Sequence, residues 1–220
     1  MRWLLAGLLS VPIAARADSA EVLGFSPDGR YAAVLEHGVA DGSGFPWARV
    51  TVLDAKKGTA AGKPVEIELR DAGATEEAAA AQAKKGAERE RERLRVASWA
   101  KANKIDADRD GQVSEKSGAP IATIEVKTRA GKAVESCPEP FEPLLLEVAV
   151  YFLDADKPAR MLSEKKVPKD RPCTNECALD SVYASGKSAL ALVQCTVPGF
   201  EGPAKQLVPV AAVLPYPLEE

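Results

Sequence analysis

From Val22 to Leu53 the chain alternates short apolar runs with breaks rich in Gly, Pro and Asp: VLGFSPDGRYAAVLEHGVADGSGFPWARVTVL. Apolar residues fill Val22 to Phe25 and Tyr31 to Leu35, and Ser26-Pro27-Asp28-Gly29 between them is turn chemistry in its expected order. Pro sets a negative φ, Asp bonds its own backbone, and Gly accepts φ > 0. A second break at Asp41-Gly42-Ser43-Gly44, followed by Phe45-Pro46, leads into a returning strand from Ala48 to Leu53. The segment Leu179 to Leu214, LDSVYASGKSALALVQCTVPGFEGPAKQLVPVAAVL, repeats this order. The spacing that carries Gly29 onto Gly186 also carries Gly42 onto Gly199 and Pro46 onto Pro203. Two readings stand open, a structural repeat or two independent hairpins with similar turns.

Between these ends the periodicity changes. Val65 to Leu69 alternates as a half-buried strand. Thr75 to Lys104 is built from strong helix formers, with Thr75 as N-cap and Glu76 and Glu77 in the first turn. Its apolar stripe is thin (Ala80, Ala83, Ala87, Leu94, Ala97), and Glu88 to Arg93 places opposite charges at i, i+3, so one face is solvated. Gly86 inside it costs about 1 kcal/mol relative to Ala. Strands return at Ile121–Thr128, at Leu144–Leu153 and, more weakly, at Met161–Val167, while the Pro-bearing link Cys137–Pro143 excludes regular structure. The expected class is α+β and β-rich, a mainly antiparallel sheet or sandwich of about eight or nine strands. Its frame is two related Gly-turn hairpins, and one long charged helix spans residues 75–104.

The first residues set the compartment. Arg2 followed by apolar Trp3 to Ala14 and then Ala15-Arg16-Ala17 has the form of an export signal cleaved after Ala17. That stretch is too short to span a bilayer, and no later one approaches the length required. The expected organisation is a signal peptide over 1–17 and one β-rich domain over 18–220, with the helix and an acidic loop inserted at 75–118. The net charge of −3, made more negative by loss of Arg2 and Arg16, argues against nucleic acid, since no Lys/Arg stripe with interleaved aromatics occurs. Four cysteines in an exported chain indicate disulfides. Cys177 and Cys195 lie equally far either side of Gly186, so a hairpin turning there sets them opposite each other. The expected pairing is Cys177–Cys195, which leaves Cys137–Cys173.

Candidate chemistry is sparse. Asp106-Ala107-Asp108-Arg109-Asp110-Gly111-Gln112-Val113-Ser114 matches the first nine positions of a helix-loop calcium site, so calcium is the one cofactor suggested, with Asp106, Asp108, Asp110, Gln112 and Ser114 as ligands. The loop departs from that pattern at its twelfth position, where Ser117 stands in place of a bidentate Glu and Gly118-Ala119-Pro120 follows. His37, the only histidine, reads as a surface residue at a strand end, because a general base needs an orienting partner. No Gly-x-Ser-x-Gly elbow and no phosphate-cradling Gly loop before a helix occurs. Two Gly/Pro loops carry aromatics, Phe45 and Trp47 in one and Phe200 in the other. These are candidate partner contacts, although Phe45 and Phe200 would equally serve by tucking under their loops.

The segments FSPDGRY, DGSGFPWARVTVLD, VEIELRDAGATEEAAAAQA and VPKDRPC, with the closing GFEGP, resemble the bacterial family of predicted secreted proteins called domain of unknown function 2259. The likeness covers most of the chain beyond the signal. It implies export and a shared fold and brings no activity with it. FSPDGRY alone is also similar to strands of TolB-like propeller blades, but a propeller needs about four blades or more. The expectation is an exported, non-catalytic protein, periplasmic or secreted, that binds a protein or envelope component. A calcium-dependent module is the alternative and an unfamiliar hydrolase the third reading.

Overall fold

The computed structural model describes residues 19–40, 42–108, 110–114, 120–132, 137–153, 155–199 and 202–218. The export signal, Arg109, Ser117 and Phe200 lie outside these residues. In chain order the first strands are β1 (Ser19–Phe25), β2 (Tyr31–Val39), β3 (Pro46–Asp54), β4 (Thr59–Ala60) and β5 (Val65–Glu68). Helix α1 (Glu76–Arg93) follows, then β6 (Asn103–Ile105), β7 (Gln112–Ser114), β8 (Pro120–Ala130), β9 (Leu144–Phe152) and β10 (Ala159–Ser163). The chain closes with β11 (Cys177–Ser185), β12 (Ser188–Pro198) and β13 (Pro203–Val213). The fold is β-rich α+β with three antiparallel sheets. The first sheet runs β1-β2-β3-β4, with β5 also on β3; the middle sheet runs β13-β12-β11-β6; the outer sheet runs β10-β9-β8-β7.

Strand alternation makes these sheets stack. On β2, Ala33 and Leu35 face α1, whereas Ala32 and Val34 meet Leu190, Leu192 and Ala211 of the middle sheet. On β12, Ala189, Ala191, Val193 and Cys195 turn the other way, against Ile124, Val148 and Val150 of the outer sheet. The order of layers is therefore helix, first sheet, middle sheet, outer sheet. Strand β12 is apolar on both faces because it is sandwiched on both. Each Leu or Val fully buried there contributes about 1.5–3 kcal/mol.

The two hairpins occupy separate sheets that pack face to face, and their likeness extends to the backbone. In β1 the register slips between Val22 and Gly24, and in β11 it slips between Leu179 and Ser181. The bulge thus falls at the same place in each repeat. Val34 pairs with Val22 and Thr51, and Val193 pairs with Leu179 and Val208. Strands β3 and β13 both begin at a proline, Pro46 and Pro203. The first turn closes through Ser26, whose hydroxyl donates to Asp28 at 2.6 Å and accepts from the Tyr31 amide at 2.9 Å. The Ser26 bond, with the Arg30 amide, holds the Asp28 carboxyl below the usual carboxylate range.

The helix is shorter than its composition predicts. Thr75 does cap it, accepting from the Ala78 amide at 3.3 Å, but it ends at Arg93 rather than Lys104. Arg95 sits at φ 57, and the Arg91 guanidinium donates to the carbonyls of Val96 and Ala97 at 2.8 and 2.7 Å, which folds the chain back. Ala100 then exchanges backbone bonds with Phe25, and Asn103–Ile105 joins the middle sheet as β6. Sheet pairing overrides helix propensity here. The buried stripe, Ala79, Ala80, Ala83 and Ala87, is all alanine, so the helix lies close on the first sheet. Gly86 has a packing role, since a β-carbon there would run into Val65 of β5. The strands number thirteen among the described residues, because β4, β6 and β7 are too short to show a period, and the weak candidate at Met161–Val167 is Ala159–Ser163.

Candidate functional site

The acidic loop is a turn between sheets. It is entered from β6 and left through β7, so no helix precedes it; α1 has ended at Arg93. The Asp108 carboxylate accepts from the amides of Asp110 and Gln112 at 2.9 and 2.8 Å, and Gly111 at φ 78 lets the chain pass against Ile124 of β8. Val113 is fully buried in the core, with Gln112 and Ser114 exposed on either side of it along β7. Asp106 and Asp108 line a cavity of ≈ 160 Å³ together with Asp180 and Ser181 of β11. Among the described residues no three acidic, His or Cys side chains stand where they would hold one ion. The five predicted ligands are thus divided between a cavity wall, a turn and a strand edge.

A second cluster surrounds His37. Its Nε2 lies 2.8 Å from the Ser19 hydroxyl, and its Nδ1 lies 3.4 Å from a Glu76 carboxylate oxygen at the start of α1. The residue set is that of a nucleophile, base and orienting acid, but the hydroxyl is also 3.2 Å from Nδ1. An oxygen that near both ring nitrogens lies off both lone-pair axes, where proton transfer is poorly aligned. The His37 and Glu76 side chains are 24% and 33% exposed, so water screens the pair. The cluster ties β1 and α1 together across β2.

The polar residue buried most deeply on β2 is Glu36, which is 5% exposed. It sits directly across from Arg49 of β3, and Arg49 in turn reaches Glu66 of β5 at 3.0 Å. Burial pushes the Glu36 carboxyl up to about 7; Arg49 opposes this, while Asp170 and Glu66 add to it. On the same face of β3, Trp47 is 7% exposed, and its indole Nε1 and the Arg49 Nε are buried without hydrogen-bond partners among the described residues. Trp47 is therefore not the exposed loop aromatic its Gly/Pro neighbours suggest. It is the second residue of β3, paired across from Gly38, which leaves space for the ring. Phe45 is half-buried beneath the Arg70 guanidinium at 5.9 Å, at the end of the exposed Gly42–Gly44 loop. Alternation in YAAVLEHGV would have placed Glu36 on a buried face, but no local signal marks it as more than a strand acid.

The segment VPKDRPC is a brace. Val167 and Leu145 pack over Gly131, Arg171 is 2% exposed and donates to both Glu164 carboxylate oxygens at 2.8 and 2.7 Å, and Cys173 joins Cys137. Glu164 also accepts from the Leu146 amide at 2.7 Å, so its charge is satisfied from two directions. Cys177 and Cys195 are direct cross-strand partners and are joined, with Cα atoms 4.1 Å apart.

Stacked antiparallel sheets closed by two disulfides define a small, covalently braced β protein of the exported kind. The chain belongs to the family described as "Predicted secreted protein (DUF2259)", whose family model matches residues 33–212. No curated protein and no solved structure matches it. No helix of the described residues is long and apolar enough to cross a membrane.

Proposed function

We propose that this is a non-catalytic binding or structural protein of the bacterial envelope or exterior, delivered by a signal cleaved after Ala17. One observation carries the reading: the fold uses its polar side chains for bracing. Asp108 closes a turn, Asp54 accepts from the amides of Lys56 and Lys57, and Arg171 is locked to Glu164. The exposed Gly42–Gly44 loop, with half-buried Phe45 at its end, is the surface assigned to a protein partner. Crosslinking in envelope extracts should recover a partner with the wild type and less of it with Phe45→Ser. Turnover of ester, peptide, glycoside or phosphomonoester substrates that disappears in both Ser19→Ala and His37→Ala would overturn the non-catalytic reading.

The calcium reading rests on the cavity that Asp106 and Asp108 share with Asp180. The turn bonds of Asp108 occupy Oδ1 and leave Oδ2, but no three described acidic side chains stand where they would hold one ion, so binding would be weak. Calcium should then raise the Tm of the wild type and leave Asp106→Ala unchanged; no effect on the wild type ends this reading.

A further inference from the structure

Helix α1 covers only part of the sheet beneath it. It packs on β2, β3 and β5, and Gly86 lets it approach Val65 of β5 closely. The edge strand β1 is left beside its other flank. Between that flank and β1 lies a cleft of ≈ 340 Å³, the size of a small-molecule site. Its apolar wall is made by Leu23 of β1, Ala87 of α1 and Trp99, which the turn after the helix brings back. Leu23 is available because the β1 bulge leaves it outside the ladder. The Trp99 indole nitrogen is buried, so the side chain offers the cleft ring carbon and no hydrogen bond.

The charged lining decides what the cleft can hold. It comprises Glu21, Lys84, Lys85 and Glu88. Both acids are engaged, Glu21 with Lys84 at 2.7 Å and Glu88 with Arg91 at 2.7 Å. Lys85 is exposed and makes no ion pair among the described residues. The unmatched charge in the cleft is therefore one ammonium. The Glu21–Lys84 pair can supply a second, because its side chains are 51% and 46% exposed and a pair so well hydrated is weakly held. An anion entering the cleft can take Lys84 while Glu21 returns to water.

We propose that this cleft binds a small anionic amphiphile, a carboxylate on a short aliphatic chain. The head group meets Lys85 and Lys84, and the chain lies on Leu23, Ala87 and the Trp99 ring, where each buried methylene adds affinity. A cationic head would face two ammonium groups with no free acid beside them. A neutral head would gain nothing from Lys85. The site uses no residue of the Gly42–Gly44 loop or Phe45, so it goes beyond the partner-binding reading and does not depend on it.

Calorimetric titration of the mature chain tests it, with straight-chain carboxylates as probes and octylamine and octanol as head-group controls. Octanoate should bind saturably, and octylamine roughly tenfold more weakly. From hexanoate upward, affinity should rise roughly fourfold per methylene until the cleft is full and then level off. Lys85→Glu, at an exposed helix position, should weaken octanoate roughly fivefold and leave octanol unchanged. A second readout places the ligand without any variant. Trp3 leaves with the export signal and Trp47 is buried, so acrylamide should quench Trp99 first, and octanoate should protect it. Three results would overturn the proposal: no octanoate binding, equal affinity for octylamine, or affinity that climbs with chain length without levelling. Protection of Trp99 that grows with protein concentration in the absence of probe would do so as well, by placing a second copy in the cleft. Failure here with a Phe45-dependent partner retained would leave the partner-binding reading standing.

Discussion

The two meanders β1-β2-β3 and β11-β12-β13 share a bulge, a turn glycine and a proline start, yet the same rung of each holds different chemistry. In the second, Cys177, Cys195 and Gln206 lie side by side across the three strands. In the first the corresponding rung is Ala20, Glu36 and Arg49. A covalent bond thus stands where its counterpart has a buried carboxyl beside a guanidinium. The bulged residue differs too. Leu23 packs against the cluster beneath α1, whereas Asp180 opens onto the cavity beside β6. The backbone frame tolerates either because a bulge leaves one side chain outside the ladder, free to match whatever lies over it. The same position of the frame is therefore apolar where a helix covers it and acidic where solvent does.

The largest effect should come from cutting the covalent rung. Cys177 and Cys195 are separated by 18 residues, and closing a loop of that length stabilises by about 3 kcal/mol through the unfolded chain. Cys177→Ala/Cys195→Ala should lower the urea midpoint accordingly. A variant as stable as the wild type would mean that strand pairing alone holds this rung, as it must in the first meander.

The ionisable rung should respond to pH instead. The Glu36 carboxyl is raised from 4.5 to about 7 in the folded protein. Below 4.5 it is protonated in both states, and its contribution to stability is complete. Between 4.5 and about 7 the unfolded chain releases the proton while the fold retains it, so stability falls as pH rises, by at most about 3 kcal/mol. Groups facing it are Arg49, Glu66 and Asp170. Glu36→Gln should flatten the pH dependence of unfolding across that window and be the more stable protein at pH 8. An unchanged slope would show that Glu36 ionises freely and that Arg49 satisfies it.

The frame was legible because turns are punctuated by residues with few alternatives. Ser26-Pro27-Asp28-Gly29 and Gly186 mark where strands reverse, and the register about Gly186 also locates Cys177 opposite Cys195. The stack was not legible, since the apolar runs of β2 and β12 read alike whether a strand has one neighbour layer or two. Residues 94–104 misled because Ala97, Ala100, Lys101 and Lys104 favour helix, while the Arg91 bonds to the Val96 and Ala97 carbonyls and the sequence-distant Phe25–Ala100 bridge decide otherwise. Trp47 misled for the related reason that a Gly/Pro neighbourhood signals a loop, although the strand begins at Pro46 itself. The Asp-rich loop carries ligand types at ligand spacing, yet spacing does not say whether a carboxylate points at an ion or at its own backbone, and Asp108 does the latter.

The smallest effect probes the contact that locks one meander onto the other. The Ser188 hydroxyl, at the start of β12, donates to the Gly29 carbonyl at 2.6 Å, and Gly29 sits at φ 67. A β-carbon on residue 29 would both occupy the left-handed region and run into that hydroxyl. Gly29→Ala should therefore cost about 1–2 kcal/mol from the backbone term alone, with the lost Ser188 bond adding about 1 kcal/mol. Gly186 shares the positive φ but has open space around it, so Gly186→Ala should show the backbone part without the contact part. Repeating Gly29→Ala in a Ser188→Ala background removes the collision and should bring the two glycines to the same cost. If Gly29→Ala remains the more damaging there, the lock between the meanders lies in the turn backbone and not in Ser188.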